Sequence, residues 1–231
     1  MTRPLPQGLR FVRHLRQQTP IKWQVTHSPL MNPVFLQPLL PDKPWGAVIF
    51  TSETGVAAAK ALGALPKTAF CVGDQTARAA RRAGFAAVSA NGDAAALLAL
   101  IRAAAPPVPL LHICGQHTRG DVAETLTSAG TETVSCIAYR QEPVALSVTA
   151  HRLLAGHQPL ILPLFSPRTA RLFCQQVAMI VKAPLFVAAI SPAVAAAMAD
   201  LPAAQLAVAS EPTSDAMVKA VGILAEYFPV A

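Results

Sequence analysis

Short apolar runs alternate along the chain with alanine-rich stretches of helical periodicity, a pattern typical of α/β proteins. In the first half, the apolar runs 48–52 and 70–73 predict the ends of two strands, and the run 86–89 predicts a third strand. The stretches that follow them predict helices at 55–62, 76–85 and 94–103. Asp93 directly precedes the last of these helices and is its predicted N-cap.

The second half of the chain repeats this order. Strands are predicted to end at 162–166, 187–191 and 206–209, before helices at 168–177, 193–201 and 211–224. Equivalent positions lie roughly 114–122 residues apart and pair Ser52 with Ser166, Gly73 with Ser191, and Asp93 with Asp215. Internal similarity at a nearly constant offset predicts two domains of like fold.

The segments that precede the two triplets, 2–31 and 110–140, also resemble each other in outline, because each is predicted to contain a helix followed by a strand. The domains are therefore either consecutive or exchange these segments. In the exchanged arrangement, two extended connectors would cross between the domains near 32–45 and 140–148. Prolines in both regions fit connectors of either kind, so the pattern leaves both arrangements open.

The predicted strand ends indicate where a ligand would bind. In open α/β sheets, ligands lie beyond the carboxyl ends of the strands, where helix N-termini present free N–H groups. Two such domains facing each other would form a cleft lined by residues that are small or hydroxylic: Thr51, Ser52, Gly73, Thr76, Gly115, Ser166 and Ser191. This set is rich in hydrogen-bond donors and lacks a nucleophile–base pair, which favours a carboxylate-binding surface. A turn capped locally by Thr76 explains residues 72–76 equally well.

The composition fits a folded protein with an anionic partner. Hydrophobic residues make up 53% of the 231 residues and charged residues 13%, which excludes disorder. A net charge of +7 suggests a polyanionic partner. Arg119 and Arg168 closely follow two of the predicted strand ends, so both are candidate contacts for a polycarboxylate, with a solvated helix surface as the alternative. Aromatic residues are only 6% and no nucleic-acid-binding motif is present, so we expect no nucleic-acid partner.

Several other classes of protein lack support in the sequence. The four cysteines and six histidines show no spacing typical of metal ligands, so we expect no metal site. No GxSxG motif or recognisable catalytic triad is present. The longest uncharged apolar stretch, 183–199, is broken by Ser191-Pro192, and the N-terminus has no secretory apolar run. We therefore expect a cytoplasmic protein with no membrane partner. The sequence leaves the oligomeric state undetermined, and a monomer is the default expectation.

One polar aromatic residue ends an otherwise apolar predicted strand. Tyr139 closes the run 133–139, at a predicted domain junction. It is either a half-buried packing residue with its hydroxyl in water, or a donor to a leaving oxygen in the ligand site.

A series of short motifs, in order along essentially the whole chain, resembles the uroporphyrinogen-III synthase family. These motifs are TRP (2–4), SPL (28–30), IFTS (49–52), VGDQTA (72–77), GDAAAL (92–97), CGQHTRGDVAETL (114–126), AYR (138–140), FSPRTA (165–170), AISPAVA (189–195) and EPTSDAM (211–217).

The resemblance implies a fold of two similar parallel-sheet α/β domains, joined by two extended connectors and with a cleft between them. It selects the exchanged arrangement, with residues 1–36 and 142–231 in one domain and 37–141 in the other. It also implies a cyclising hydro-lyase of tetrapyrrole biosynthesis that needs no cofactor. Such an enzyme converts hydroxymethylbilane into uroporphyrinogen III with inversion of ring D and loss of water.

The resemblance further implies roles for individual residues. Tyr139 matches the family's functionally prominent tyrosine and is expected to assist departure of the substrate hydroxyl. The substrate carries eight carboxylates, and Ser52, Thr76, Ser166 and Ser191 match positions expected to contact its propionate or acetate groups. The remaining expected substrate contacts are Arg3, Gly73, Gly115, Arg119 and Arg168.

The sequence departs from the family pattern at three places. Only Met1 and Thr2 precede Arg3, Glu53 stands where many members carry a neutral residue, and the turn 191–194 lacks the usual threonines. The first and third departures favour an alternative, a non-catalytic tetrapyrrole- or polycarboxylate-binding protein on the same scaffold. A third possibility, nucleic-acid binding, is supported only by the positive net charge of the chain.

Overall fold

The computed structural model describes residues 1–117, 121–177 and 180–228, which contain nine strands and nine helices. The strands are β1 Met31–Phe35, β2 Ala47–Phe50, β3 Thr68–Cys71, β4 Ala86–Ser89, β5 Leu110–Gly115, β6 Thr133–Pro143, β7 Leu160–Leu164, β8 Leu185–Ala189 and β9 Gln205–Val208. The helices are α1 Leu5–Gln18, α2 Glu53–Ala59, α3 Asp74–Arg82, α4 Ala94–Ala104, α5 Val122–Ser128, α6 Val148–Leu154, α7 Pro167–Val177, α8 Pro192–Ala196 and α9 Ser214–Ala225. No helix within these described residues is long and apolar enough to cross a bilayer.

The chain divides into two compact units. One, the discontinuous unit, comprises Met1–Asn32 and Pro143–Ala231, and the other, the central unit, comprises Pro33–Glu142. Both passages between the units lie in strands, β1 and the end of β6.

Each unit is organised around a parallel sheet. The larger sheet has the strand order β1-β6-β5-β2-β3-β4, and the smaller has the order β7-β8-β9. The pairs from β6 to β4 and from β7 to β9 are parallel. The repeat expected from the sequence is confirmed, since β2-β3-β4 and β7-β8-β9 are both triplets of sequential parallel neighbours in which a helix follows each strand.

The central unit buries both faces of its sheet, as parallel sheets do. Strand β2 is therefore apolar at every position, and all four of its residues are buried. On one face, Val48 and Phe50 pack with residues of α2 and α3, whereas Ala47 and Ile49 pack on the other face with residues of α4 and α5.

The discontinuous unit covers its smaller sheet in the same way. Leu164 and Leu185 pack with Phe173 of α7, and Ala188 packs on the other face with residues of α1 and α9, including Phe11.

Two expectations about local structure need correction. The segment between α1 and Ser28, where a strand was expected, forms no regular strand, and its Thr26 carbonyl accepts from the Met1 amino group at 2.8 Å. Asp93 caps α4 as expected and accepts from the Ala96 N–H at 3.0 Å. Its expected equivalent, Asp215, does not cap α9, because Thr213 accepts from the Ala216 N–H instead.

Candidate functional site

Four of the residues singled out from the sequence lie along one edge of the central unit's sheet. Ser52 follows β2, Gly73 follows β3, Gly115 ends β5, and Tyr139 lies opposite Gly115 in β6. These strands are neighbours in the order β6-β5-β2-β3, and their paired segments run parallel, so the four residues meet at the carboxyl edge. This is the edge at which α/β sheets bind ligands.

Ser52 and Tyr139 are joined by a hydrogen bond between their hydroxyl groups. The two oxygens lie 2.9 Å apart. The Ser52 oxygen also caps α2 by accepting from the Gly55 N–H at 3.0 Å. Because Ser52 already accepts at the helix, its own proton is available for Tyr139, and the tyrosine proton is then available to a ligand.

The environment of Tyr139 keeps its hydroxyl protonated. The side chain is half-buried, and burial raises the pKa of Tyr139 above its ordinary value of 10.0. The hydrogen bond with Ser52 acts in the opposite direction, since it favours the tyrosinate. At neutral pH the phenol is therefore a neutral donor.

Gly73 and Thr76 lie at the beginning of α3. Gly73 is the N-cap residue, so the capping role considered for Thr76 is wrong, and Thr76 is instead buried within the first turn. Among the described residues, no heavy atom lies within 4 Å of the position that a Cβ would take at Gly73, so the space beside this turn is open. The free N–H groups favour an anion there, while the exposed Asp74 carboxylate opposes one.

The discontinuous unit presents two serines at the carboxyl edge of its own sheet. Ser166 follows β7, and its oxygen accepts from the Thr169 N–H at 3.1 Å and bonds the Thr169 hydroxyl at 2.8 Å. Ser191 follows β8 and occupies the N-cap position of α8, yet its side chain makes no capping bond within the part of the chain described. The Ser191 hydroxyl is therefore better placed than that of Ser166 to bind a ligand.

Two arginines flank Ser166 in the same unit. The Arg3 guanidinium carbon lies 4.1 Å from the centre of the Phe165 ring, a cation–π contact. Phe165 in turn packs edge-to-face on Phe11, with ring centres 4.9 Å apart. Arg168 lies in the first turn of α7, two residues after Ser166. Arg119, the remaining arginine expected to bind substrate, lies outside the described residues.

His112 is a buried polar residue for which the sequence predicts no role in the site. It is only 2% exposed, and burial lowers its pKa to about 4 against the opposing effect of Asp121. Its Nε2 lies 3.5 Å from the Thr51 hydroxyl oxygen, directly before Ser52 in the chain. The sequence feature that could have identified it is a histidine inside an otherwise apolar strand, LLHICG. In the sheet, His112 pairs with Ile49 of β2.

The chemistry available at these edges is that of hydrogen bonding and positive charge. Within residues 1–117, 121–177 and 180–228, no group of three or more His, Cys, Asp or Glu side chains is placed to hold a metal ion. Hydroxyl donors and a neutral phenol lie on the central unit, and hydroxyls with two arginines lie on the discontinuous unit.

Comparison with known proteins points to one family. The family model described as uroporphyrinogen-III synthase HemD matches residues 11–219. Comparison with curated protein sequences finds no match.

Solved structures of proteins with this name are similar to the chain at low sequence identity. The uroporphyrinogen-III synthetase from Helicobacter pylori 26695 is 16% identical, with a TM-score of 0.64 over 84% of this chain and 91% of that one. A mutant uroporphyrinogen III synthase from the extremely thermophilic bacterium Thermus thermophilus is 14% identical, with a TM-score of 0.48 over 99% of this chain and 100% of that one. The Helicobacter similarity shows the two-domain α/β fold. The family model spans most of the length of the chain, which therefore belongs to the uroporphyrinogen-III synthase family.

Proposed function

We propose that this protein closes hydroxymethylbilane into uroporphyrinogen III, with inversion of ring D and loss of water. The observation that carries the proposal is the hydrogen-bonded pair of Ser52 and Tyr139 at the carboxyl edge of the central sheet. A neutral phenol at a ligand-binding edge can supply the one hydrogen bond that departure of a hydroxyl group requires.

The Ser52–Tyr139 hydrogen bond supports this role. Ser52 accepts from the Gly55 N–H, which leaves its own proton available for the Tyr139 oxygen, and in that arrangement Tyr139 can donate its proton to the leaving oxygen. The pyrrole nitrogen supplies the electrons that expel this oxygen, which leaves as water. The electron-poor carbon that remains is attacked by the substituted α-carbon of ring D, and the spiro intermediate then opens and recloses with the ring inverted. The proton released at ring closure balances the one that Tyr139 gave.

Substrate binding follows from the charge of the protein and the donors of the discontinuous unit. The chain carries a net charge of +7, and the proposed substrate carries eight carboxylates. Arg3, Arg168 and Ser191 lie at the beginning or edge of elements where a carboxylate can accept from several donors. Holding a flexible linear tetrapyrrole in a folded conformer contributes to the rate, because it removes the entropy cost of bringing the chain ends together.

The experiment that tests the proposal is an isomer assay on the purified chain. Freshly prepared hydroxymethylbilane is incubated with and without the protein, and the products are oxidised to porphyrins and separated by chromatography. We expect isomer III in the presence of the protein and isomer I, the product of spontaneous closure, in its absence. Isomer I alone, at the rate measured without protein, would contradict the proposal.

A non-catalytic tetrapyrrole-binding protein is the second candidate. It is favoured by the turn at Ser191, which is followed by a helix of only five residues, Pro192–Ala196, that contains no hydroxyl group. Fluorescence titration with uroporphyrin III distinguishes the two, since this candidate predicts tight binding together with no isomer III in the assay above.

A further inference from the structure

The pairing of β6 with β5 slips by one residue just before Tyr139. From Leu110↔Thr133 to Cys114↔Ile137 the register is regular, and the next pair is Gly115↔Tyr139. Ala138 is therefore the extra residue of a β-bulge. The Leu36 N–H, directly after β1, donates to the Ala138 carbonyl at 2.8 Å, so the bulged residue keeps a backbone partner.

The bulge decides which face of the sheet Tyr139 occupies. Cys136 and Ala138 pack in the cluster that contains Phe50, on the face covered by α2 and α3, while Ile137 points away and is 47% exposed. Regular alternation would put Tyr139 on the face of Ile137. With the extra residue, Tyr139 packs against the same cluster as Ala138, and its hydroxyl reaches Ser52.

The Tyr139 ring packs directly over the Cα of Gly115, in the space that a side chain would otherwise occupy. Leu111 and Ile113 of β5 belong to the same cluster, so alternation directs position 115 to that face as well. A Cβ at Gly115 would lie 2.7 Å from Cε2 and Cζ of Tyr139 and 3.0 Å from its hydroxyl oxygen. Carbon atoms do not approach this closely without displacement, so only glycine leaves the ring in place.

We infer that Gly115 is a positioning residue, which together with the bulge at Ala138 places the Tyr139 hydroxyl against Ser52. The strand-end glycine thus acts through the tyrosine rather than by touching the substrate. Gly73 lies at the equivalent end of β3 without this constraint, since among the described atoms none would lie within 4 Å of its Cβ. The catalytic consequence of the inference rests on the proposed function, whereas the placement of the ring does not.

The first test measures the placement directly. The chain has two tyrosines, so the exposed Tyr227 is changed to Phe and Tyr139 becomes the only tyrosine. In protein labelled with ¹³Cζ-tyrosine, the single resonance reports the hydrogen bond of the Tyr139 hydroxyl. Ser52→Ala calibrates the shift produced when the bond is lost. We expect Gly115→Ala to shift the resonance in the same direction and Gly73→Ala to leave it in place. An unshifted resonance in Gly115→Ala would overturn the inference.

A stability comparison covers the case in which Gly115→Ala folds poorly. If the new methyl group clashes with the Tyr139 ring, Gly115→Ala should lower Tm when Tyr139 is present. The same substitution should have little effect on Tm in a Tyr139→Ala background. An equal loss of Tm in both backgrounds would place the strain elsewhere and contradict the inference.

The second test separates positioning from substrate contact. We expect Gly115→Ala to lower kcat by an amount similar to Tyr139→Phe, about 100-fold, with KM changed by less than about twofold. The double variant should be no slower than Tyr139→Phe alone, because both changes remove the same hydrogen bond. Multiplied losses in the double variant, or a raised KM with unchanged kcat, would assign Gly115 to the substrate instead. If the native chain forms no isomer III, the proposed function fails while the resonance measurement still decides the role of Gly115.

Discussion

The hydroxyl groups of Ser52 and Tyr139 lie 2.9 Å apart although the two residues are 87 positions apart in the chain. Ser52 follows β2 and is the N-cap of α2, whereas Tyr139 belongs to β6, and β5 lies between these two strands. The bond therefore crosses above β5, which is possible because Gly115 at the end of β5 has no side chain. The position of the Tyr139 hydroxyl thus depends on β2, β5 and β6, and β2 is remote in sequence from the other two.

Removing the phenol oxygen tests the proposed chemical role of Tyr139. We expect Tyr139→Phe to lower kcat for isomer III about 100-fold, the usual range for loss of a general acid, and to leave KM within about threefold. The fold should be retained, because the ring stays in place and one neutral hydrogen bond contributes only about 1 kcal/mol. Initial rates from the isomer assay provide the measurement.

Tyr227→Phe is the matched control for this change. Tyr227 is 56% exposed, so removal of its hydroxyl should leave both kcat and Tm near the native values. A native kcat in Tyr139→Phe would exclude the residue from the reaction.

Ser52 has two partners, and a matched helix cap separates their contributions. Ser52→Ala removes the cap of α2 and the partner of Tyr139, while Asp93→Ala removes only the cap of α4. Each variant should lose about 1 kcal/mol of unfolding free energy, measured by urea titration. Only Ser52→Ala should also lower kcat. An equal kcat in the two variants would show that Ser52 serves the helix alone.

Arg3 is expected to bind a carboxylate of the substrate. Arg3→Gln should raise KM about tenfold at low ionic strength, since a hydrogen bond to a charged group contributes about 1.5–3 kcal/mol. The effect should shrink as salt is added, because exposed charges are screened.

Arg102→Gln provides a control with the same change in net charge. Arg102 is exposed in the last turn of α4, so its loss should alter KM little. Equal KM values for the two variants would show that Arg3 acts only through the net charge of the protein and makes no specific contact with the substrate.

Buried His112 predicts a loss of stability in acid. Its pKa is lowered by burial from 6.5 to about 4, so between these values the unfolded chain binds a proton that the folded chain excludes. Stability is therefore full above about pH 6.5 and falls as the pH drops toward 4. By pH 5 the contribution should be about 1–2 kcal/mol.

The measurement is the difference in unfolding free energy between pH 7.5 and pH 5, for the native chain and for His112→Gln. Burial also lowers the pKa of His27, so the variant keeps part of the acid dependence. The native chain should lose about 1–2 kcal/mol more than the variant does. An identical loss of unfolding free energy in both proteins would mean that His112 takes up a proton as readily in the folded chain as in the unfolded chain.

The sequence by itself determined the repeated α/β organisation and the positions of most strand ends. Strand β4 was predicted at its observed bounds, and the cap at Asp93 was predicted correctly. Ser52 and Gly115 were placed at strand ends for the same reason. Hydrophobic periodicity, capping residues and the common edge of parallel strands are properties of short segments, so the local sequence is sufficient to reveal them.

Only the tertiary structure decided the face on which Tyr139 lies, the close approach of its ring to Gly115 and the contact of Arg3 with Phe165. The side chain of a strand residue changes face when the pairing slips by one position, and that slip depends on the neighbouring strand, not on the run of residues around Tyr139. Arg3 likewise lies over Phe165, a residue distant in the chain. Such contacts arise when segments far apart in sequence pack together, and no local pattern in the sequence encodes their register.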